Sequence, residues 1–296
     1  MSSHARRTAL KALLAGPGPL VLPGAYDAFS AKLVERAGYP ATYLGSFAAA
    51  ASAFGLPDVG LLTLNDLAEQ ARRVVDAVTI PVLADAENGF YDAPNLWRAV
   101  KAFEDAGVAG VHIEDNLGGK HTSAPAGLLP VAQMVNKVRA AVDARTDPDF
   151  LVIARSDAAW VEHDIEGCVR RLEAYAAAGA DMVFAPAIPA ADLARVRGRL
   201  NVPVMVPGDL LDVPGSDEPS STIAEYGEAG ADVILLWYTV IGAASKNVTA
   251  VLEALHDGSE VAGVKELVTG QHAFEAAMGY DAYEKRSAQY AQEVRS

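Results

Sequence analysis

Along the chain, short runs of uninterrupted apolar residues alternate with longer stretches in which apolar positions recur every three or four residues. The short runs are Leu20–Pro23, Ala41–Leu44, Val82–Asp85, Gly110–Glu114, Leu151–Ala154, Met182–Ala185, Val204–Val206 and Val233–Leu236. Most lack polar alternation, which predicts strands covered on both faces, as in a parallel sheet wrapped by helices. The longer stretches include Leu64–Val78, Pro94–Ala106, Val131–Ala144 and Ile165–Ala178, and read as amphipathic helices. In the first of them Leu64, Leu67, Ala71, Val74, Val75 and Val78 form one packing stripe. Several helices stop at a glycine just before the next strand (Gly38, Gly107, Gly179 and Gly230), where positive φ closes a helix without a Cβ clash. The phrasing repeats as AGYPATYL, AGVAGVHI, AGADMVFA and AGADVILL, so the unit is an iterated βα pair.

Eight such units predict an α/β fold, a single (β/α)8 TIM barrel over residues 1–257, close to the ~250 residues that such a barrel takes. Residues 258–296 then form a C-terminal helical extension, with helices expected at Val268–Met278 and Ala282–Val294, packing on the barrel or on a partner subunit. The rival is an open, doubly wound sheet. It has no support, because no GxGxxG follows the first strand and no GxxxxGK[ST] occurs anywhere. Pro207–Ser221, with three Pro and two Gly, reads as a long loop after the seventh strand rather than as a linker between domains.

Charge narrows the classes of partner. With 24 basic and 38 acidic residues the formal charge is −14, which argues against nucleic-acid or anionic-membrane binding and leaves carboxylates to spare for a metal. A small anionic substrate is compatible with this if cations gather locally. The single cysteine, Cys168, rules out an intramolecular disulfide and any multi-thiolate metal site; in EGCVRRLEAY it reads as the filler of a small apolar gap. There is neither a secretion-like N-terminal segment nor an apolar run of membrane-spanning length, so a cytoplasmic protein is expected.

Candidate chemistry gathers at the strand ends. LADAENGF carries Asp85 and Glu87, VHIEDN carries Glu114 and Asp115, and Asp58 lies in the GLPDVG loop. Asp85 and Glu87 share a side if the third strand runs through both. Asp58 alone reads as a helix cap or as a ligand, and Asp66 and Asp92 as cap or helix-start residues. Acids converging on adjacent strand ends repel, and a divalent cation is the simplest compensation; ligation by oxygen alone selects magnesium, or manganese, over zinc. GGKHTSA follows, with Lys120, His121, Thr122 and Ser123 forming either a closing segment over the mouth or a solvated polar loop. Arg155 and Asp157 come directly after the fifth strand; an arginine there suits bidentate carboxylate or phosphate binding, or pairs structurally with Asp157 or Glu114.

On PGAYDAFSAKLVERAGYPATYLGS, GLPDVGLLTL, DAENGF, IED with Lys120 six residues on, DARTDPDF and IARSDA in that order, the chain resembles the isocitrate lyase / phosphoenolpyruvate mutase superfamily from about Pro23 to Lys246. The resemblance implies a magnesium-dependent enzyme that holds a small 2-oxo or 2-hydroxy acid at an acidic barrel rim and breaks a bond through an enolate. It implies Asp85 as the nearest metal ligand, with Asp58, Glu87 and Glu114 acting directly or through water. Tyr43, Gly45, Ser46, Asp85 and Arg155 are then substrate-binding, and Arg155, Lys120, Thr122 and Ser123 catalytic. It further implies a homotetramer or homodimer that exchanges a C-terminal helix.

The departures bear on the substrate. The lyases of the 2-methylisocitrate type carry a Lys-Arg-Cys-Gly-His stretch where this chain has Lys120-His121-Thr122-Ser123-Ala124, closer to the phosphonopyruvate branch. Polar positions after strands six, seven and eight correspond to Pro186, Pro207 and Gly242. The expected activity is carbon–carbon cleavage or decarboxylation of a small 2-oxo or 2-hydroxy dicarboxylate. Phosphonopyruvate hydrolase or mutase chemistry and a non-catalytic 2-oxo-acid-binding protein are the alternatives.

Overall fold

The computed structural model describes residues 1–119, 122, 126–209 and 221–293. Lys120, His121, Ser123 and Ala124, and most of the loop expected at Pro207–Ser221, lie outside the described residues. The chain divides into two compact units, Met1–Val240 and Ile241–Ser296.

In the first unit eight parallel strands close into a barrel in chain order: β1 (Leu20–Ala25), β2 (Thr42–Leu44), β3 (Val82–Asp85), β4 (Gly110–Glu114), β5 (Leu151–Arg155), β6 (Met182–Phe184), β7 (Val204–Pro207) and β8 (Val233–Leu236). Closure is made by β1 and β8, paired from Leu20↔Val233 to Pro23↔Leu236. The helices are α1 (Ser3–Leu14), α2 (Ala28–Arg36), α3 (Ser46–Ala49), α4 (Leu64–Ala77), α5 (Trp97–Ala106), α6 (Val131–Ala144), α7 (Ala158–Val161), α8 (Ile165–Ala177), α9 (Ala190–Val196) and α10 (Ile223–Glu228). Helix α11 (Thr239–His256) begins at the end of this unit; α12 (Gln271–Met278) and α13 (Tyr280–Glu293) belong to the second. Among the described residues no helix is long and apolar enough to cross a membrane.

Strand alternation sorts the core into two layers. Val82, Val111, Val152, Val183, Val204, Val206 and Ile234 face outward and pack under the helices. Leu22, Leu83, Leu151, Ile153, Met182, Met205 and Val233 face inward and fill the barrel. Helix α4 shows the outer packing. Leu64, Leu67, Ala71, Val74 and Val75 are buried on one stripe, and a reciprocal Thr63–Asp66 capping box starts the helix. The expected Pro94–Ala106 helix is a short 3-10 turn, Ala93–Asn95, followed by α5. All four expected closing glycines have positive φ (89°, 86°, 106° and 89° for Gly38, Gly107, Gly179 and Gly230). Gly110 answers a different need: a Cβ there would stand 2.6 Å from the Leu151 carbonyl oxygen, so glycine lets β4 and β5 approach.

The pattern of apolar positions did not mark α1. Its Leu10 is completely buried with the inward-facing layer, and Leu13 and Leu14 pack against the same cluster. Two buried arginines tie it to the loops that lead into the strands. Arg6 donates to the carbonyls of Val78 (2.6 Å) and Thr79, and Arg7 to those of Val108 (3.0 Å) and Glu104 (2.9 Å). The helix therefore stoppers the amino-terminal end of the barrel, which leaves the opposite mouth for chemistry.

Candidate active site

Alternation also decides which side chains reach that mouth. Tyr43 on β2, Asp85 on β3, His112 and Glu114 on β4, and Arg155 on β5 occupy inward-facing positions, and all five are buried. Tyr43, Asp85 and Arg155 border an open cleft. Its polar lining is Tyr43, Ser46, Asp58, Asp85 and Arg155, while Phe47, Trp160, Phe184, Pro186, Pro207, Leu235 and Trp237 are apolar.

Asp85 is the centre of the polar part. Its Oδ1 accepts from the Glu87 amide at 2.7 Å. Its Oδ2 accepts from the Ser46 amide at 3.3 Å and lies 2.9 Å from Ser46 Oγ, which is also 3.2 Å from Asp58 Oδ1. The Ser46 hydroxyl has one proton, so it satisfies one carboxylate at a time while linking both. Gly45 is needed for this approach, since a Cβ there would come within 2.9 Å of the Tyr43 ring. Thus the structure turns Ser46 toward Asp85 and Asp58, and Asp58 toward the cleft rather than onto a helix end. Asp66 is a helix-start residue, as one of its alternatives held: it is the reciprocal partner of the Thr63 N-cap.

The chain does not continue as a strand through Glu87. β3 ends at Asp85, and Glu87 takes φ 50°, in the left-handed region. Such a conformation costs a non-glycine residue on the order of 1–3 kcal/mol and persists only where surrounding bonds enforce it. Here the Glu114 amide donates to the Glu87 carbonyl at 2.9 Å, and Lys137 Nζ on α6 donates to the Asn88 carbonyl at 2.6 Å. The turn, not strand periodicity, brings Glu87 to Asp85. Carboxylate oxygens of Asp85, Glu87 and Glu114 then lie within 4.8 Å of one another.

Arg155 stands beside these acids and is fixed on three sides. Its Nε and Nη2 donate to Asp157 at 2.6 and 3.1 Å, Nη1 is 3.4 Å from Glu114, and the guanidinium lies 5.2 Å from the centre of the Phe184 ring. Burial opposes its charge, but Asp157, Glu114 and Asp85 outweigh burial and hold it well above its ordinary pKa. Arg155 thus lines the cleft and is paired with Asp157, with Glu114 beside it, as its structural alternative held. Behind it, Asp157 accepts from Asn116 Nδ2 at 2.9 Å, and Asp115 binds Ser156 Oγ, the Asp157 amide and Tyr175 OH at 2.7–2.9 Å. Burial raises the pKa of Asp115, against the hydrogen bonds it accepts.

His112, and Asn116, Ser156 and Tyr175 of the layer behind Arg155, were not singled out from sequence, whereas Asp115 and Asp157 were. Tyr43 OH lies 2.6 Å from His112 Nε2 and 3.5 Å from Asp85 Oδ2. Burial, then the Asp85 charge, push the Tyr43 phenol well above its ordinary pKa, so it stays protonated and can donate. The signal for His112 was its place two residues before Glu114 in VHIED, the same strand face. Thr122 is exposed and bonded within its own turn, its Oγ1 donating to the Gly119 carbonyl at 2.8 Å. Lys120 and Ser123 fall outside the described residues. Cys168 fills an apolar gap as expected, and burial pushes its thiol up to about 12.

The donor set suits a hard divalent cation. The three clustered acids offer only oxygen; among the described residues no cysteine or histidine is grouped with them, and the His112 imidazole stands beside the cluster with Nδ1 3.6 Å from Asp85 Oδ1. A (β/α)8 barrel with a candidate oxygen-donor metal site at the carboxyl ends of β3 and β4 is the class that this fold and site define. The chain belongs to the phosphoenolpyruvate phosphomutase family, whose sequence profile matches residues 10–256. It is 34% identical over 277 residues to the 2-methylisocitrate lyase of Shewanella oneidensis, spanning 92% of this chain and 93% of that one. It is 33% identical over 275 residues to the oxaloacetate decarboxylase of Bradyrhizobium diazoefficiens, 92% of each. The phosphoenolpyruvate phosphomutase structure from Streptomyces platensis subsp. rosaceus superposes with a TM-score of 0.85 at 31% identity, covering 96% of this chain and 99% of that one.

Proposed function

We propose that this protein is a magnesium-dependent lyase that cleaves a carbon–carbon bond in a small 2-oxo or 2-hydroxy acid. The observation that carries this reading is the trio Asp85, Glu87 and Glu114 within 4.8 Å, beside a fully charged Arg155. An anionic substrate meets repulsion from these carboxylates, so binding it calls for a cation held among them. Bound magnesium supplies Lewis-acid stabilisation of negative charge developing on the substrate's 2-oxygen.

The chain's own groups do the positioning. Ser46 orients Asp85 and Asp58, and the Glu87 amide fixes the other Asp85 oxygen. Arg155, braced by Asp157, counters negative charge in the cleft without having to move. Tyr43 offers a phenolic proton on the same side. Lys120, Thr122 and Ser123 keep the catalytic assignment that the resemblance implies. The lyase and decarboxylase relatives support this reading over phosphorus–carbon chemistry, since a departing phosphoryl group calls for cationic partners and the cleft beyond Arg155 is apolar.

The test is a panel of 2-oxo and 2-hydroxy acids with and without magnesium, read as release of 2-oxo acid, CO2 and phosphate. Metal-dependent release of 2-oxo acid or CO2 is expected. Phosphate release from phosphonopyruvate alone assigns the second branch, and no turnover above a metal-free control leaves a binding protein. Self-association is part of the proposal: Phe274, Tyr280, Tyr283 and Tyr290 of the second unit are 43–65% exposed in the single chain, costly for so many aromatic residues in water. Light scattering is expected to show a dimer or tetramer, lost when the chain ends near Gly270; a mass near 31 kDa across micromolar concentrations refutes it.

A further inference from the structure

Helix α6 carries a lysine where its packing pattern calls for an apolar residue. Met134, Val138 and Ala141 form its buried stripe, and Lys137 is buried at the same helical spacing. A lysine is rarely buried without a partner. Burial pulls its pKa down, and the charge of Asp92 works against that pull. The chain therefore keeps an ammonium here in spite of desolvation, and its Nζ donates to the Asn88 carbonyl at 2.6 Å.

That carbonyl belongs to a strained turn. Between Asp85 and Tyr91 three residues take left-handed φ: Glu87 at 50°, Gly89 at 87° and Phe90 at 62°. Among the described residues His163 is the only other non-glycine residue with positive φ, so this kind of strain is concentrated beside the carboxylate cluster. Bonds inside the turn, from the Gly89 amide to the Ala86 carbonyl at 2.7 Å and from the Phe90 amide to Asn88 Oδ1 at 3.1 Å, close it on itself but do not fix it to the barrel. Strand β4 ties it down on its own account: the Ala86 amide donates to the His112 carbonyl at 3.0 Å, and the Glu114 amide to the Glu87 carbonyl at 2.9 Å. Lys137 adds a tie from a separate element of the fold.

We infer that Lys137 is a positioning residue of the metal site: by holding the Asn88 carbonyl it keeps the turn in its left-handed form, with Glu87 beside Asp85 and Glu114 before a metal arrives. This rests on the magnesium-site reading above and deepens it. The Asn88 carbonyl lies one peptide unit beyond Glu87. Releasing it frees ψ of Asn88 and φ of Gly89, and the turn that delivers the Glu87 carboxylate loosens. The ammonium has two effects on a bound cation, and their signs differ. Its charge repels the cation, so by charge alone its removal tightens metal binding. Its bond to Asn88 orders a ligand-bearing turn, so by geometry its removal weakens binding, and loss of a group that orients a ligand costs about 10–100-fold in metal affinity. Geometry is the larger effect, since Asp92 offsets part of the charge whereas the bond to Asn88 is short and direct.

The experiment measures magnesium dissociation constants by calorimetry on the full chain, for wild type, Lys137→Met, Glu87→Gln and the double variant. Methionine keeps an unbranched apolar stem on the buried stripe and removes the donor with its charge. Lys137→Met is expected to weaken magnesium binding about tenfold. In the Glu87→Gln background the same substitution is expected to change binding by less than about twofold, because a group that acts through Glu87 has nothing left to position. If wild type binds no magnesium, the magnesium-site reading fails and this inference falls with it. If wild type binds magnesium and Lys137→Met binds it as well or more tightly, the inference alone is overturned. Equal weakening in both backgrounds overturns it too, since a general loosening of the fold does not depend on Glu87. Hydrogen exchange on wild type decides the matter even where Lys137→Met does not fold. Protection of the Gly89 and Glu114 amides is expected already without magnesium; protection that appears only when magnesium is added shows that the metal forms the turn, and overturns the inference.

Discussion

Arg155→Lys separates a bracing guanidinium from a mere positive charge. The substitution keeps the charge, so most of the attraction to Asp157 and Glu114 survives. What goes is geometry: two bonds to Asp157 at 2.6 and 3.1 Å, a third approach to Glu114 at 3.4 Å, and a planar face 5.2 Å from the Phe184 ring. One ammonium can replace one of those bonds but not span both oxygens of Asp157. A hydrogen bond between charged groups contributes about 1.5–3 kcal/mol and stacking on an aromatic ring about 0.5–2 kcal/mol, so the net loss is about 2–4 kcal/mol after partial recovery by lysine. If that bracing acts on the reacting charge, kcat falls about 30-fold or more. The assay pairs magnesium-dependent turnover with urea unfolding of the same samples. A kcat within twofold of wild type, together with lowered stability, shows that Arg155 only holds β5 to its loop and refutes its part in the reaction.

Asp85→Asn preserves shape but removes one charge from the three-carboxylate cluster, and magnesium affinity measured by calorimetry is expected to fall at least about tenfold with the fold retained; unchanged affinity removes Asp85 from the site. Leu10→Ala in α1 opens a hole where a completely buried side chain closes the barrel, and is expected to cost about 2.5–5 kcal/mol in urea unfolding; a cost below ~1 kcal/mol means that α1 is not a stopper. Burial opposes ionisation of Asp147, but the Asp149 amide and the Arg7 and His4 side chains together outweigh it and bring its carboxyl to about 2. Because the folded value is depressed, its stabilisation is present above the unfolded value of about 4 and is lost as pH falls toward about 2. Allowing for solvent screening at this shallow site, the stability gap between wild type and Asp147→Asn is expected to shrink by about 1 kcal/mol from about pH 5 to about pH 2.5, and a gap that stays constant contradicts the ion-pair account.

How far the fold could be read from sequence follows from where each signal resides. The strands were legible because burial on both faces leaves continuous apolar runs, and the glycine closures marked the turns between helix and strand. Helix α1 was not legible. Two of the residues it buries are Arg6 and Arg7, which read as solvated until the loops near Val78, Val108 and Glu104 supply their carbonyls. Glu87 was expected at the site for a reason that does not operate: strand periodicity pointed to it, whereas a left-handed turn held by Glu114 and Lys137 delivers it.

The division of the mouth shows a different kind of legibility. Pro186 and Pro207 stood out in the sequence as missing polar groups, and absence alone said nothing of what fills the space. Trp160, Phe184 and Trp237 come from three separate units and are unremarkable in their local patterns. In a barrel closed in chain order, however, sequence neighbours among strands are spatial neighbours, so the position of a residue type along the chain is also its position around the mouth. Acids concentrated at the ends of β3 and β4 and apolar groups at the ends of β6 to β8 must then face each other across one cleft. On the proposed reading, a cation held by the acids and the charge that Arg155 counters lie on one side of this cleft, and its apolar wall lowers the local dielectric in which they interact.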